Sequence, residues 1–517
     1  MSSRYKSLVP RFRFSDDLDS QMKELAENPL LSRMKAARND YTDPHRPRYH
    51  YVNPEGGLND PNGLCKWRGN WHLFYQAYPP EDPRQHWGHA MSTDLVHWQD
   101  LPYCIYPDPE ECCFSGATLV EEDRVIAMYH GTKAGNMIAT SKDPLLLNWE
   151  KLGDAPVIPL RSKDSRPPPF NVFDPCIWRK GDAYYSLSAG RETLGHSDKQ
   201  VAADFLFRSK NLKDWEYLHS FIEGDRFTRV WDDGACPYFW SIGNRHILLF
   251  FSHMSGGQYL LGDYDEQRDK FVVSYGEKFN FGAAGPCGVH APSASPNEDG
   301  TITVIFNMNP GLPAQGWNQV MTLPRILTLG ENGDSVDVKP VSAVDSLRET
   351  VTKLQPFEVP ANQEVVLGKI SGSSYELELE VDESSASFFE VNVLRSPDQQ
   401  EFTRISVFRE RGYFDPSRGS RVRNSCVSLD NSHSSIAPNF RSRPPENLNV
   451  FIGREERLRL QIFVDRSIVE VFVNNRRCVA ARVYPVCEDS TGISLVSKGS
   501  SSNVQMLNFW QLKSIFN

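Results

Sequence analysis

The sequence predicts an all-β fold in two parts, a β-propeller followed by a β-sandwich, and three observations carry that prediction. From about Tyr49 to Pro340, short aromatic and β-branched runs such as "WHLFYQAY", "RVIAMYHG", "DAYYSLSAG", "RHILLFFSH" and "TITVIFNMN" recur between clusters of turn residues. Within that stretch a weak repeat, "STDLVHW", "SKDPLLLNW" and "SKNLKDW", ends at Trp98, Trp149 and Trp215. A polar side chain capping each loop, with Leu and Trp packed between neighbouring sheets, suits the blades of a propeller. Beyond residue 360, runs such as "SYELELEVD", "SFFEVNVL" and "RLRLQIFVDRSIVEVFVN" alternate apolar and charged residues with the period of a half-buried strand.

Taken in order, residues 1–45 form an N-terminal extension. Its segment "DSQMKELAENPLLSRMKAAR" places Met22, Leu25, Leu31 and Met34 at roughly helical spacing, with Pro29 interrupting the helix. The extension is expected either to cap the propeller or to build a homo-oligomer. Residues 46–340 form the propeller. Residues 341–360, "VSAVDSLRETVTKLQPFEVP", read as a short helical or extended connector, and 361–517 as the sandwich, with an irregular Arg/Ser/Asn/Pro-rich loop from about Ser417 to Pro445.

Composition limits the function. The 517 residues are 39% hydrophobic, enough for two or three domains with large cores. With 56 basic against 66 acidic residues the net charge is −10, which argues against nucleic acid and against a basic membrane-surface patch, leaving a hydrophilic small molecule as the expected partner. The N-terminal stretch scatters charges where a secretory segment needs an apolar run, and no segment is long and apolar enough to span a bilayer. A cytoplasmic location is expected. Ten cysteines lack paired metal-ligand spacing and read as buried free thiols. With no phosphate-binding glycine loop and no H-E-x-x-H, no cofactor or metal is expected.

The stretch "GLNDPNGL", residues 57–64, reads by itself as a hairpin, with Asn62-Gly63 supplying positive φ angles and Pro61 holding Asp60 extended at its mouth. Its context alters that reading. "NPEGGLNDPNG", followed in order by "FYQAYP", "HWGHAMSTDLVHW", "FSGATL" and "FVDRSIVEVFVN", resembles the family 32 glycoside hydrolases, the invertase, inulinase and levanase group of β-fructofuranosidases. The resemblance runs from about Tyr49 to the C-terminus. It implies a five-bladed propeller with a central pocket, then a sandwich, and retaining hydrolysis or transfer of fructosyl groups without a cofactor. It also implies that Asp60 is the nucleophile, a role that an oxocarbenium-like transition state closing to a covalent glycosyl-enzyme requires of a carboxylate.

Other roles carry over from the same motifs. Asn59 and Gln76 would bind sugar hydroxyls, Trp87 would form an apolar wall, and Phe114 with Ser115 would line the pocket floor; for Trp87 and Phe114, ordinary core packing is an equal alternative. His89 is expected to satisfy a structural hydrogen bond. Asp174, before Pro175, would stabilise the transition state by gripping two sugar hydroxyls, but Phe173 stands where the family has arginine.

The third motif departs further. In "VWDDGACPYFW", Cys236 and Pro237 match the family pattern and Ala235 occupies the place of the acid/base glutamate. Three readings compete: a residue engineered away, a degenerate binding site, or another carboxylate in service. In an extended strand Asp233 shares a face with Ala235, and a bulge at Gly234 would bring it forward. Asp233 is therefore the candidate acid/base, with a pKa raised by a dry pocket beside Trp231 and Tyr238; a solvated Asp-Asp-Gly turn is the bland alternative, and Glu223 and Asp263 are distant ones. Two classes of function remain at this stage: a retaining glycosidase acting on a short fructoside or related furanoside, and a carbohydrate-binding or sensor protein on the same scaffold. An aimed "NDPNG" aspartate favours the enzyme.

Overall fold

A computed structural model describes residues 6–39, 42–162, 170–194 and 199–516. Five mostly antiparallel sheets follow one another along the chain, beginning with strands Gly57–Trp67, Cys113–Val120, Val172–Lys180, Ala235–Ile242 and Val289–Pro296, apart from a short Ile222–Glu223 strand that pairs at the outer edge of the fourth. Those five strands contact one another in a closed cycle, first to second and so on until the fifth meets the first. Five sheets meeting in such a cycle fit the expected five-bladed propeller.

The repeat proves to be one turn used three times. Asp94, Asp143 and Asn211 each follow the third strand of a sheet and accept backbone N–H groups from two to five residues ahead. A leucine one to three residues on in each, Leu95, Leu146 and Leu212, adopts positive φ (72°, 53° and 64°). Trp149 and Trp215 then donate from the indole to the carbonyls of Leu146 and Leu212. The side-chain cap makes a strained leucine tolerable by satisfying the amides that the turn frees.

At the N-terminus, Pro29 does not interrupt one helix but starts a second. Leu18–Ala26 and Pro29–Arg38 are separate helices, and Asn28 caps the second by accepting from the amides of Leu30 and Leu31, with Pro at the first position where no N–H is needed. Arg38 pairs with Asp100 at 2.6 Å and the buried Gln21 donates to Asp143, so both helices close over the first two sheets. The extension thus packs as the capping alternative expects.

Residues 341–360 are a connector only in part. After the 3-10 turn Ser342–Leu347, strands Arg348–Leu354 and Phe357–Val359 pair with the last strand, Ser502–Leu512, and so belong to the C-terminal sheets. That C-terminal unit is two antiparallel sheets face to face around a separate apolar core.

"DRSIVEVFVN" was expected to pack, and Ile468, Val469 and Val471 are fully buried. Ile468 and Phe472 face the propeller core while Val469 and Val471 face the sandwich core, so the strand Ile468–Val473 buries apolar residues on both sides. Its two carboxylates do more. Asp465 accepts from the amides of Arg48, Tyr49 and His50 and from Ser374 Oγ, all at 2.8–3.0 Å. His50 bridges onward, with Nδ1 3.0 Å from Asp465 and Nε2 3.1 Å from Glu470, and Glu470 also binds Arg325 Nη2 at 2.7 Å. Burial disfavours charge on His50, but the two carboxylates outweigh it and raise its pKa, so it bridges as an imidazolium. Replacing Glu470 by Gln leaves the Arg325 guanidinium buried without its counter-charge, and about 3–5 kcal/mol of stability is expected to be lost, read as a lower urea midpoint.

Candidate active site

Strand alternation sends successive side chains to opposite faces, yet the five inner strands all break register at a corresponding place. The breaks fall between Leu58 and Pro61, Cys113 and Gly116, Val172 and Pro175, Ala235 and Tyr238, and Val289 and Pro292. Each is a bulge in which the ladder lapses and the strand turns a side chain outward. Proline occupies four of the five breaks, as Pro61, Pro175, Pro237 and Pro292, where its missing N–H costs nothing. The residues brought together are Asp60, Ser115, Asp174, Cys236 and His290, all buried.

"GLNDPNGL" is therefore not a hairpin. It lies within the strand Gly57–Trp67; the hairpin comes later, at Arg68 and Gly69, and only Gly63 of the Asn62-Gly63 pair has positive φ (50°). A side chain at Gly63 would also meet Thr118 Cγ2 at 2.5 Å, so glycine is required twice over.

Asp60 presents one anchored oxygen and one free one. Oδ2 accepts from Ser115 Oγ at 2.6 Å and Gln76 Nε2 at 3.1 Å, while Cys236 Sγ lies 3.5 Å away. Oδ1 lies 3.0 Å from His290 Nδ1 without an aligned hydrogen bond among the described residues, so its lone pairs are available. Burial pushes the Asp60 pKa up, but His290 and Ser115 overcome it and hold the carboxyl below its ordinary value. Asp174 moves the other way. Burial and the charge on Asp60 push it up to about 7, against the Cys236 amide that donates to its Oδ2 at 3.0 Å. Two carboxyls in one pocket are thus split into a readily ionised one and a partner that carries a proton near neutrality.

Comparison with known proteins decides the lineage. "Glycosyl hydrolases family 32 N-terminal domain" matches residues 50–340 and "Glycosyl hydrolases family 32 C terminal" matches 343–511. The chain belongs to glycosyl hydrolase family 32. Similar relatives include a levanase of Bacillus subtilis, 28% identical across 92% of this chain and 72% of the relative, and a sucrose-6-phosphate hydrolase of Escherichia coli, 26% identical across 93% and 99%. Among solved structures, fructan 1-exohydrolase IIa of Cichorium intybus in complex with 1-kestose superposes with a TM-score of 0.77, 20% identical, covering 91% of this chain and 98% of that one. This fold likeness supports the propeller and sandwich reading.

Within this family 32 frame, the residues expected to bind sugar separate into two groups. Asn59, Gln76 and Ser115 form one hydrogen-bonded chain ending on Asp60: Asn59 Nδ2 donates to Gln76 Oε1 at 3.1 Å, and Gln76 Nε2 donates to Ser115 Oγ and to Asp60. Trp87 is different. It is 0% exposed, packed between Phe74 and Tyr129 with its indole donating to the Phe114 carbonyl, so it anchors the backbone behind the pocket instead of walling it. Phe114 is half-buried with its ring against His130, and Phe173 is half-buried against Ala235, Cys236, Phe251 and Ala291. His89 pairs with His72 at 2.9 Å in the core, where burial keeps its pKa far below the ordinary value.

The expectation for Asp233 needs correction. Although burial raises its pKa, His253 and Arg191 more than compensate and hold it below the ordinary value. His253 Nδ1 donates to its Oδ2 at 2.7 Å and Arg191 Nη2 at 3.0 Å. An anion so engaged has no proton to give. Nor is the pocket dry on that side: Trp231 is 46% exposed, and Tyr238 is sealed behind the site, hydrogen-bonded to Gly116, Ser293 and Gly63. Glu223 and Asp263 are tied to Arg268 and Arg245 in surface ion pairs.

The sequence reading missed His290, Arg191, His253 and the thiol of Cys236. His290 had only a loose signal, since Pro292 stands two residues after it, whereas Pro61 and Pro175 directly follow the two aspartates. Among the described residues no cluster of three or more His, Cys, Asp and Glu is arranged to hold a metal ion.

Asp174 gains its proton on folding, so the folded state is favoured below pH 4 and loses that advantage as pH rises through about 7. Asp174→Asn removes this pH-dependent penalty. Its melting temperature relative to the parent is expected to be near level at pH 4 and to rise towards pH 8, by an amount corresponding to on the order of 4 kcal/mol.

Proposed function

We propose that this chain is a retaining glycoside hydrolase cleaving β-fructofuranosidic bonds of short fructosides, with transfer to a second sugar as the minor or alternative outcome. The observation that carries the reading is the Asp60 carboxylate, with one oxygen fixed by Ser115 and Gln76 and the other open beside His290. Such a group can attack the anomeric carbon, close to a covalent fructosyl-enzyme and be displaced by water. Asp174 supports the step from the inner strand of the third sheet. With a proton near neutrality it can donate to one sugar hydroxyl and accept from another as charge develops on the ring. Asn59 and Gln76 would fix the remaining hydroxyls, and Phe173, in place of a guanidinium, gives that side of the pocket an apolar surface.

The names of the relatives, a levanase, sucrose-6-phosphate hydrolases and a fructan exohydrolase, support a fructoside as substrate. The exposed Trp231, beside Asp233, offers an aromatic face for the leaving sugar. We place the enzyme in the cytoplasm: all ten cysteines are free, as a reducing compartment favours.

Release of fructose from sucrose, 1-kestose, inulin and levan tests the proposal. Asp60→Asn is expected to lower kcat/KM on the best of these by on the order of 10^4-fold while leaving sugar affinity measurable by calorimetry. Undiminished turnover in Asp60→Asn overturns it.

A further inference from the structure

A retaining mechanism needs a group that protonates the departing oxygen and later takes a proton from water. Ala235 supplies none, and Asp233 is held as an anion. The register of the fourth sheet shows what stands nearby. Ala235 pairs with Phe251 across the antiparallel ladder, and the same register carried two residues further sets Asp233 opposite His253. The side chains complete that pairing. Asp233 Oδ1 accepts the His253 backbone N–H at 3.1 Å, and Oδ2 accepts His253 Nδ1–H at 2.7 Å. One carboxylate thus grips both the main chain and the ring of the histidine.

Burial divides the pair. The Asp233 side chain is 4% exposed and that of His253 is 64% exposed. With Nδ1 committed, Nε2 is the nitrogen left to face outward, and among the described residues no hydrogen bond is formed at it. The ring stands edge-on to Phe251, at 5.0 Å, and to His290, at 6.0 Å between centroids, and His290 is the residue 3.0 Å from Asp60. His253 therefore lies on the Asp60 side of the fourth sheet, two residues along the chain from Phe251, the ladder partner of Ala235.

We infer that the His253–Asp233 pair is the proton donor and acceptor of this enzyme, with His253 Nε2 as the catalytic atom and Asp233 as the residue that positions it. The inference rests on the fructosidase reading. In the first step Asp60 Oδ1 forms a bond to the anomeric carbon, the bond to the leaving oxygen breaks, and that oxygen takes the Nε2 proton, leaving a neutral imidazole. In the second step water attacks the same carbon, the imidazole takes its proton, and Asp60 departs with the bonding pair. Asp233, held as an anion by His253 itself and then by Arg191, holds the tautomer and stabilises the imidazolium. The groups facing His253 are Asp233 and Arg191 on one side and Asp60, Asp174 and His290 on the other. The hydrogen bond to Asp233, then the charges of the carboxylates, raise the His253 pKa against its burial, which favours the protonated ring.

The test compares a substrate whose leaving group needs a proton with one that does not. On the best substrate among sucrose, 1-kestose, inulin and levan, His253→Gln is expected to lose about 10^3-fold in kcat/KM; on β-fructofuranosyl fluoride, whose fluoride departs with little help from a proton, the loss stays within about 10-fold. The full-length parent enzyme loses kcat/KM as pH rises through the His253 pKa. In Asp233→Asn that limb moves to lower pH, a change that a purely structural aspartate would not make. Equal losses by His253→Gln on both substrates, or no loss on either, overturn the inference. The fructosidase reading fails separately: if Asp60→Asn turns over the fluoride as fast as the parent, the nucleophile is misassigned and the pair falls with it.

Discussion

Everything at the candidate site depends on a backbone constraint, the lapse of hydrogen bonding at a corresponding place in five inner strands. A strand that keeps its ladder sends alternate side chains to its two faces and cannot converge five functional groups. A strand that breaks its ladder frees amides and carbonyls that must be satisfied in a buried place. The neighbouring strands satisfy them. Gly63 donates to Tyr238, Leu64 to Ser293, Gly116 to Asn62, Cys236 to Asp174 and Ala291 to Asn307, while Thr118 and Tyr238 donate to the carbonyls of Gly63 and Gly116. The bulges that create the site also join the sheets to one another through side chains.

The electrostatics follow from that convergence. Asp60 and Asp174 are pressed together, and only one keeps its charge readily. The Cys236 thiol lies 3.5 Å from an oxygen of each, and burial with the two nearby charges drives its pKa well above the ordinary value, so it remains a neutral donor between them. His290 and His253 sit on the far side and favour the charge of Asp60. A pocket arranged in this way is costly to fold and ready to bind, because a sugar that supplies hydroxyls to Asp174 relieves the strain of an under-solvated carboxyl.

Much of this was legible in the sequence. The all-β class and the two-part division came from period-2 runs, and Asp60 and Asp174 from the resemblance to family 32, which places an aspartate before a proline in both motifs. The shared turn at Asp94, Asp143 and Asn211 was readable because its polar cap and its Trp recur. What stayed hidden depended on pairing across distance. Arg191 reaches Asp233 from the third sheet, and His253 reaches it from the next strand; neither spacing is encoded locally. Trp87 misled because an aromatic in a β strand looks alike whether it faces a ligand or a core. The hairpin reading of "GLNDPNGL" failed because the signal for a turn and the signal for a bulge share the same residues.

Asp465 holds the amides of Arg48, Tyr49 and His50, just ahead of the strand that starts the first sheet, from a place more than four hundred residues later in the chain. As the polypeptide leaves the ribosome, the first sheet can assemble early, but its point of entry stays unfastened until nearly the whole chain has emerged. The contact between the fifth and first sheets is likewise a late event. Until the fifth sheet emerges the nascent protein therefore carries an open ring with two unpaired flanks, and even a closed ring waits for Asp465 before its point of entry is fastened.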